Sequence, residues 1–330
     1  MIHLLDFNLS TSRHTNSSLL YTYSYIAAIP IFTIGVIANS TLLYLIASDG
    51  YFHKMTYRLI RISVISDLIS LISSTIIFAC MASITRYDIN SWLCKVLLTI
   101  TYSCYGISMT TLCMISVDRY MVIVKPISSR NHHRRNRLII YIGQVIGTVI
   151  SVSISLPTLS YSNVHINEVQ LCDVPKMTSS ITAYIACYIF ILYVTPIVII
   201  VINYAKIIRY QFNYIRPGYQ DCQEYCNDQL KKKKFIRILI IITSIYLLTT
   251  WPFFCVMAGL AITGKSFLQI RAIGIGYYLI AYCSFISTFA ISVINPFIYF
   301  QFDYNIKKRL IASCKCFNMG QSSIAPNLES

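Results

Sequence analysis

Charge is scarce in this chain. Asp, Glu, Lys and Arg together make up 12% of its 330 residues, about half the roughly 25% of an ordinary soluble domain. Apolar residues make up 56%. A soluble fold of this size could not coat its surface with so few charges, whereas lipid requires no charged coat. The length suits one bundle better than two soluble domains. Acidic residues are scarcer than basic ones, 12 against 27, which leaves a net charge of +15. Such a balance could serve nucleic acid, but the basic residues cluster in alternate connections, a distribution that reads as membrane topology. No phosphate loop, metal-ligand pair or nucleophile motif stands in the sequence, so an enzyme is disfavoured. The 12 cysteines lack paired metal spacing, and Cys222 and Cys226 have no His or further Cys nearby. Most cysteines fall in apolar runs, where Cys acts as a small hydrophobe. Met1 to Ser18 includes Asp6, Asn8, Arg13 and Asn16 and has no long apolar core, so the first membrane helix is expected to direct insertion without a cleaved signal. Alternating ten-residue segments are missing, which excludes a transmembrane barrel.

What the chain does have is length of apolar run. A bilayer core of about 30 Å needs roughly 20 mostly apolar residues per helix. Seven stretches qualify, near 24–48, 58–82, 93–124, 137–160, 181–209, 234–262 and 272–299. The expected fold is therefore all-α, a seven-transmembrane helix bundle at 24–299 after a tail at 1–23. A short amphipathic eighth helix at 300–313 sets Phe302, Ile306 and Leu310 against Lys307, Lys308 and Arg309, and a second tail covers 314–330. Of the 27 Lys and Arg, 21 fall in one set of connections and six in the other. The crowded set includes Arg119, Arg134, Arg135, Lys231 to Lys234 and Lys307, and belongs in the cytoplasm. The N-terminus is then extracellular and the C-terminus cytoplasmic. Sequons at Asn8 and Asn16 agree with that orientation, while Asn39-Ser40-Thr41 lies inside a membrane run. Cys314 and Cys316 stand at membrane level as palmitoylation candidates or free thiols.

Polar residues inside membrane helices are costly and tend to face the bundle interior. Asp67 is the clearest case: a structural hydrogen-bond hub with Asn39, or a cation site that also takes up a proton. Asp118-Arg119-Tyr120 ends the third run, where a basic residue also suits the helix dipole. Asn295-Pro296-x-x-Tyr299 ends the seventh, where proline removes a backbone hydrogen bond. Taken in order, Asn39, Asp67, Asp118-Arg119-Tyr120, Pro196, Pro252 and Asn295-Pro296-x-x-Tyr299 each fall in a separate part of the seven-run pattern. Over roughly residues 24–313 the chain resembles the rhodopsin-like (class A) family of G-protein-coupled receptors, and its peptide receptors in particular.

The resemblance implies a plasma-membrane receptor that passes an extracellular ligand's signal to a heterotrimeric G protein by an outward swing of the sixth helix. It implies that Cys94 bridges to Cys172 in the second outer loop. Asp67, Ser108, Ser292, Asn295 and Asn39 match the family's sodium pocket; no other cofactor is implied. Arg119 matches the arginine that meets the G protein, with Asp118 as its resting partner. Tyr204 and Tyr299 match tyrosines that swing inward, and Pro196, Pro252 and Pro296 match helix kinks. The chain also departs from the pattern. Gly147 and Thr148 stand where the fourth helix usually has tryptophan, although Ser151 and Pro157 fit. Thr250 stands where the family's toggle tryptophan precedes the proline, and Trp251 is one place on, a rotation of about 100°. Lys231 to Lys234 replace an acid at the base of the sixth helix, so the resting latch is expected to rely on Asp118 alone.

The resemblance also narrows the ligand. Thr101 stands where amine receptors carry Asp, and Phe289 where opsins carry the retinal lysine. Monoamines and retinal are disfavoured. Thr101, Tyr102, Tyr105, Tyr188, Phe254, Met257, Tyr278, Tyr282 and Phe285 are candidates for an aromatic cleft suited to a peptide, though aromatics also pack helices and populate the interfacial belt. Val164 to Leu171 alternates loosely around Asn167-Glu168, as a hairpin would. A ligand-scavenging receptor without signalling is the first rival reading. A transporter is the second, and the absence of an internal repeat weighs against it.

Overall fold

The computed structural model describes residues 2–83, 91–124, 130–164, 172–174, 177–213 and 223–322. Within these, side chains are described except at 2–21, 130–133, 164, 211–236, 314–322 and a few single positions. Asn8, Asn16, Lys231 to Lys234, Cys314 and Cys316 are among the exceptions. Among the described residues, seven helices are long and apolar enough to cross a membrane: α1 (Ile2–Ala47), α2 (Met55–Ala82), α3 (Ser91–Ile123), α4 (Arg130–Ser155), α5 (Ser179–Ile189, carried on through Phe190–Val194 into Thr195–Asn213), α6 (Gln223–Thr263) and α7 (Ile275–Phe302). An eighth, α8 (Tyr304–Ser322), follows. The expected spans agree to within several residues. Two helices are exceptions: α1 runs back to Ile2, through the segment expected as a tail at 1–23, ahead of its apolar part at Thr22–Ala47, and α6 extends well before its apolar part at Thr243–Thr263.

The bundle buries apolar and polar side chains together and turns an apolar surface outward, as lipid demands. Leu138, Ile142, Val145 and Val149 of α4 and Val194 and Val198 of α5 are exposed, whereas Ser63, Ser66, Asp67, Ser70, Ser73 and Ser74 of α2 are buried. Hydroxyls within the helices return their protons to their own backbone, as Thr75 does to the Leu71 carbonyl (2.7 Å) and Ser155 to that of Ser151 (2.8 Å). Each such bond removes an unsatisfied donor from hydrocarbon.

Small residues bring α3 and α4 together. A Cβ on Gly106 would stand 2.8 Å from the Cβ of Ser151, and one on Gly147 would stand 3.0 Å from that of Thr110. This explains the missing tryptophan of α4: at Gly147 the helix meets α3 at close range. Gly106→Val is expected to destabilise the purified protein by roughly 1–3 kcal/mol, the range for overpacking. Thermal unfolding in detergent checks this, and an unchanged midpoint would show that the contact gives way.

Local backbone devices shape the rest. Pro196 has no N–H to continue the ladder, and the turn before it widens to a π-turn at Phe190–Val194. The N–H of Thr195 reaches back to the Phe190 carbonyl, and its hydroxyl does so at 3.0 Å. Gly264, with φ of 66°, ends α6 in the left-handed region that favours glycine. Asp303 breaks α7 from α8 and caps the latter, accepting the N–H groups of Asn305 (2.9 Å) and Ile306 (3.2 Å). The eighth helix therefore begins at Tyr304 rather than near 300, because Phe302 still belongs to α7. Ile306 is buried and Lys307 and Lys308 are exposed, the division that amphipathy required.

The Cys94–Cys172 disulfide joins the start of α3 to a two-stranded ribbon, with Cα atoms 5.9 Å apart. In that ribbon Asn163 pairs with Asp173 and Val164 with Cys172, antiparallel. The turn expected at Asn167-Glu168 lies outside the described residues.

Candidate functional site: a polar core between an aromatic cleft and an arginine latch

Asp67 sits in the middle of α2 at 3% exposure. The Ser108 and Ser292 hydroxyls donate to its Oδ1 at 2.9 and 3.0 Å, and the Asn295 amide donates to Oδ2 at 3.4 Å. Ser66 pairs with Ser108 at 2.7 Å. Helices α2, α3 and α7 thus converge on one carboxylate. Asn39 stands one step away: its amide donates to the carbonyls of Gly35 and Ser292, each at 2.8 Å. The Oδ1 atoms of Asn295 and Asn39 are buried without a hydrogen-bond partner. The donor set is all oxygen and carries one negative charge, which fits a hard monovalent cation.

A narrow cavity runs from Asp67 toward the disulfide end of the bundle, with about 20 Å³ open to water centres, room for one water molecule. Of the expected cleft residues, Thr101, Tyr102, Tyr105, Tyr188 and Phe285 line it. Phe253, Thr288 and Phe289 also line it and were not anticipated. Phe254 sits behind the wall, between the rings of Tyr105 (5.5 Å) and Tyr193 (4.1 Å), and Met257 packs against the same cluster. Tyr278 and Tyr282 turn toward α1 instead. The Tyr278 hydroxyl pairs with that of Tyr25 at 2.9 Å, and the Tyr282 hydroxyl donates to the Ser24 carbonyl at 2.5 Å.

At the other end, Arg119 pairs with Asp118 at 3.0 Å. Thr56 of α2 donates to the same oxygen, Asp118 Oδ2, at 2.8 Å, a partner that no sequence pattern marked. Asp118 Oδ2 therefore holds a hydroxyl of α2 as well as the Arg119 guanidinium. Tyr204 is buried on α5, its hydroxyl 3.2 Å from that of Thr243 on α6. Tyr299 is buried in the same apolar cluster, with Leu112, Cys113 and Ile115. Tyr120 points aside, with the Lys206 ammonium 5.5 Å from its ring centre. Next to Thr56, the Tyr57 hydroxyl donates to Asp303 Oδ2 at 3.1 Å and ties α2 to the start of α8. Burial pushes the Asp303 carboxyl above the usual carboxylate range, and the Ile306 N–H and the Tyr57 hydroxyl pull it back.

Pro252 and Pro296 lie inside α6 and α7, each of which continues through its proline. Beside Pro252, Trp251 is 51% exposed on the outside of the bundle, and Thr250 is fully buried.

The family description "7 transmembrane receptor (rhodopsin family)" matches residues 38–299. The chain belongs to the rhodopsin family of seven-transmembrane receptors. This family membership makes it a signalling receptor rather than an enzyme. Galanin receptor 2a of Danio rerio is 23% identical over 275 residues, covering 82% of this chain and 71% of the relative. Galanin receptor type 2 of Rattus norvegicus is 23% identical over 285 residues, covering 86% and 73%. The receptor is a multi-pass membrane protein whose disulfide, polar core and arginine pair lie in succession along the bundle.

Proposed function

We propose that this receptor binds a peptide at its disulfide end, facing outside the cell, and activates a heterotrimeric G protein at its Arg119 end by outward movement of α6. The observation that carries the reading is the closed latch: Arg119 is held by Asp118, which Thr56 also grips, beside the Tyr204–Thr243 contact between α5 and α6. Moving α6 outward breaks that contact and opens a space in which Arg119 faces a partner. The aromatic lining of the cleft above Asp67 and the galanin-receptor relatives support a peptide ligand. The crowding of Lys and Arg in the connections at the Arg119 end supports the orientation.

The test is nucleotide exchange on purified heterotrimeric G proteins by the receptor in nanodiscs, with a peptide library as the ligand source. Arg119→Ala should abolish exchange while leaving surface expression near the parent's. Exchange that survives the substitution would remove Arg119 from the coupling surface. Peptide uptake without exchange in the parent would favour the scavenging reading instead.

Asp67 and its three donors are proposed to hold sodium and to favour the closed state when they do. Sodium should raise the unfolding midpoint of the parent and not that of Asp67→Asn, whose amide removes the charge that attracts the ion. Equal shifts in both proteins would place sodium elsewhere.

A further inference from the structure

The start of α2 carries three cations on one face. Lys54, Arg58 and Arg61 stand at i, i+4 and i+7, a spacing that sets them one above another on a helix. Ile65, Ile69, Ile72 and Ile76, all exposed, continue the same stripe along α2. Those isoleucines meet lipid tails, so the cations next to them meet the headgroup layer. Tyr51 marks its level: it is exposed on the short turn Gly50–His53, and the Lys54 ammonium lies 4.4 Å from its ring centre. Arg61 is the deepest of the three, about 9 Å along the helix from Met55.

The protein offers these cations no counter-charge. Among the described residues, none of the three forms an ion pair. Arg61 Nη2 donates to the Ile46 carbonyl at 3.1 Å, a neutral partner at the end of α1, and its Nε is buried with no hydrogen-bond partner. Arg58 is exposed. Asp49, the acid of the connection between α1 and α2, accepts the Tyr51 N–H at 3.0 Å and pairs with Arg309 of α8 at 3.7 Å. Asp67, the next acid along α2, is buried on the opposite side of the helix. The first turn of α2 holds no acid and no side chain caps it, so the helix dipole adds to the positive field.

We propose that this face of α2 binds an anionic phospholipid, its phosphates against Lys54, Arg58 and Arg61 and its tails along the isoleucine stripe. The supply of charge decides the occupant: a neutral lipid leaves three cations uncompensated at the membrane surface, whereas a headgroup with several phosphates answers them all. Guanidinium forks suit phosphate oxygens, and the ammonium of Lys54 serves as a point charge. Two plainer roles exist. Long basic side chains can serve only to reach water, and Arg61 can serve only to cap α1. Neither gives these residues a preference for an anionic lipid that other basic residues at the same end lack.

The test titrates purified full-length receptor in neutral detergent with fluorescent short-chain phosphatidylinositol bisphosphate, and with phosphatidylcholine as the neutral lipid. The parent should bind the first in preference to the second. Arg58→Gln and Arg61→Gln should each weaken binding by about 5-fold, the worth of one cation at an anionic lipid surface, and the double variant by more than either. Arg61→Lys keeps the charge and should stay near the parent. Arg134→Gln, at an exposed basic residue of α4, controls for general positive charge and should bind as the parent does. Soluble inositol trisphosphate carries the phosphates without the tails and should compete weakly. Parent-like binding by both Gln variants overturns the proposal. So does an equal loss in Arg134→Gln, which would spread the attraction over the whole basic end. A soluble headgroup that competes as well as the lipid overturns the lipid assignment in favour of a free phosphate ligand. Unfolding midpoints in phosphatidylcholine nanodiscs show whether Arg61→Gln also loosens the end of α1; in that case Arg58→Gln carries the test. The proposal needs only that α2 spans the membrane, so its failure leaves coupling through Arg119 untouched.

Discussion

Cells expressing Cys172→Ser are expected to show little receptor at their surface, and the solubilised fraction should unfold at a markedly lower temperature than the parent. The bond ties residues 78 positions apart in sequence. Closing a loop of that size removes about 4.5 kcal/mol of chain entropy from the unfolded state in the loop-entropy treatment. Domains as a class are stable by only about 5–15 kcal/mol, so the loss is a large share of the whole. The local geometry adds to it. Cys172 opens the strand that pairs with Val164, and the Ser91 hydroxyl donates to Asn163 in the other strand at 2.6 Å. Without the bond the ribbon has two paired residues per strand to hold it over the cleft. Cys187→Ser, at an exposed free thiol on α5, is the control and should leave expression unchanged. Immunodetection of an epitope-tagged chain on intact cells reads both. Parent-like expression of Cys172→Ser would mean that the ribbon is held by contacts other than the bridge.

Much of this architecture can be read from the residues, for reasons particular to each part. The seven spans are legible because a bilayer fixes how long an apolar run must be, roughly 20 residues, longer than a buried strand needs. Asp67, Ser108, Ser292 and Asn295 meet where their motifs said they would, since each is a polar group that cannot face lipid cheaply. The cleft was legible only in part. Tyr278 and Tyr282 sit on the same helix as Phe285, but their side of α7 meets α1, and the chain that decides this lies more than 250 residues away. Helix phase against a distant neighbour leaves no mark in local sequence. Thr56 was unreadable for the same cause: its hydroxyl matters because α3 brings Asp118 to it across 62 positions. Asp303 is legible, since an Asp just ahead of an amphipathic run is a standard cap. The α3–α4 contact at Gly106 and Gly147 marks the opposite limit. The sequence showed that the tryptophan was missing, but only the close approach of the two helices explains why.

Asp118→Asn should raise ligand-independent nucleotide exchange by about 10- to 100-fold, and Thr56→Val by less. Both groups act on one atom. Asp118 Oδ2 accepts from the Arg119 guanidinium at 3.0 Å and from the Thr56 hydroxyl at 2.8 Å. The amide of the Asn variant keeps the size of the side chain and an oxygen for Thr56, but it removes the negative charge that Arg119 meets at 3.0 Å. Removing one partner of a fully buried pair costs about 3–5 kcal/mol. The Arg119 side chain is 17% exposed and that of Asp118 9%, so water screens part of the loss, and roughly 1.4–2.8 kcal/mol is the reduced figure. That amount weighs against the closed state alone, because in the open state Arg119 is solvated or meets its partner. It corresponds to the stated fold-change at about 1.4 kcal/mol per factor of ten. Thr56→Val removes one donor and leaves the ion pair; a hydrogen bond to a charged group is worth about 1.5–3 kcal/mol, and the same screening by water reduces the expected rise to about 2- to 10-fold. The order of the two effects is the informative result. If Thr56→Val equals or exceeds Asp118→Asn, the latch is a hydrogen bond from α2 that uses the carboxylate as a relay. If Asp118→Asn leads, charge holds the receptor closed. Lys232→Glu, which restores an acid near the base of α6, should then lower basal exchange in the parent and in Asp118→Asn alike.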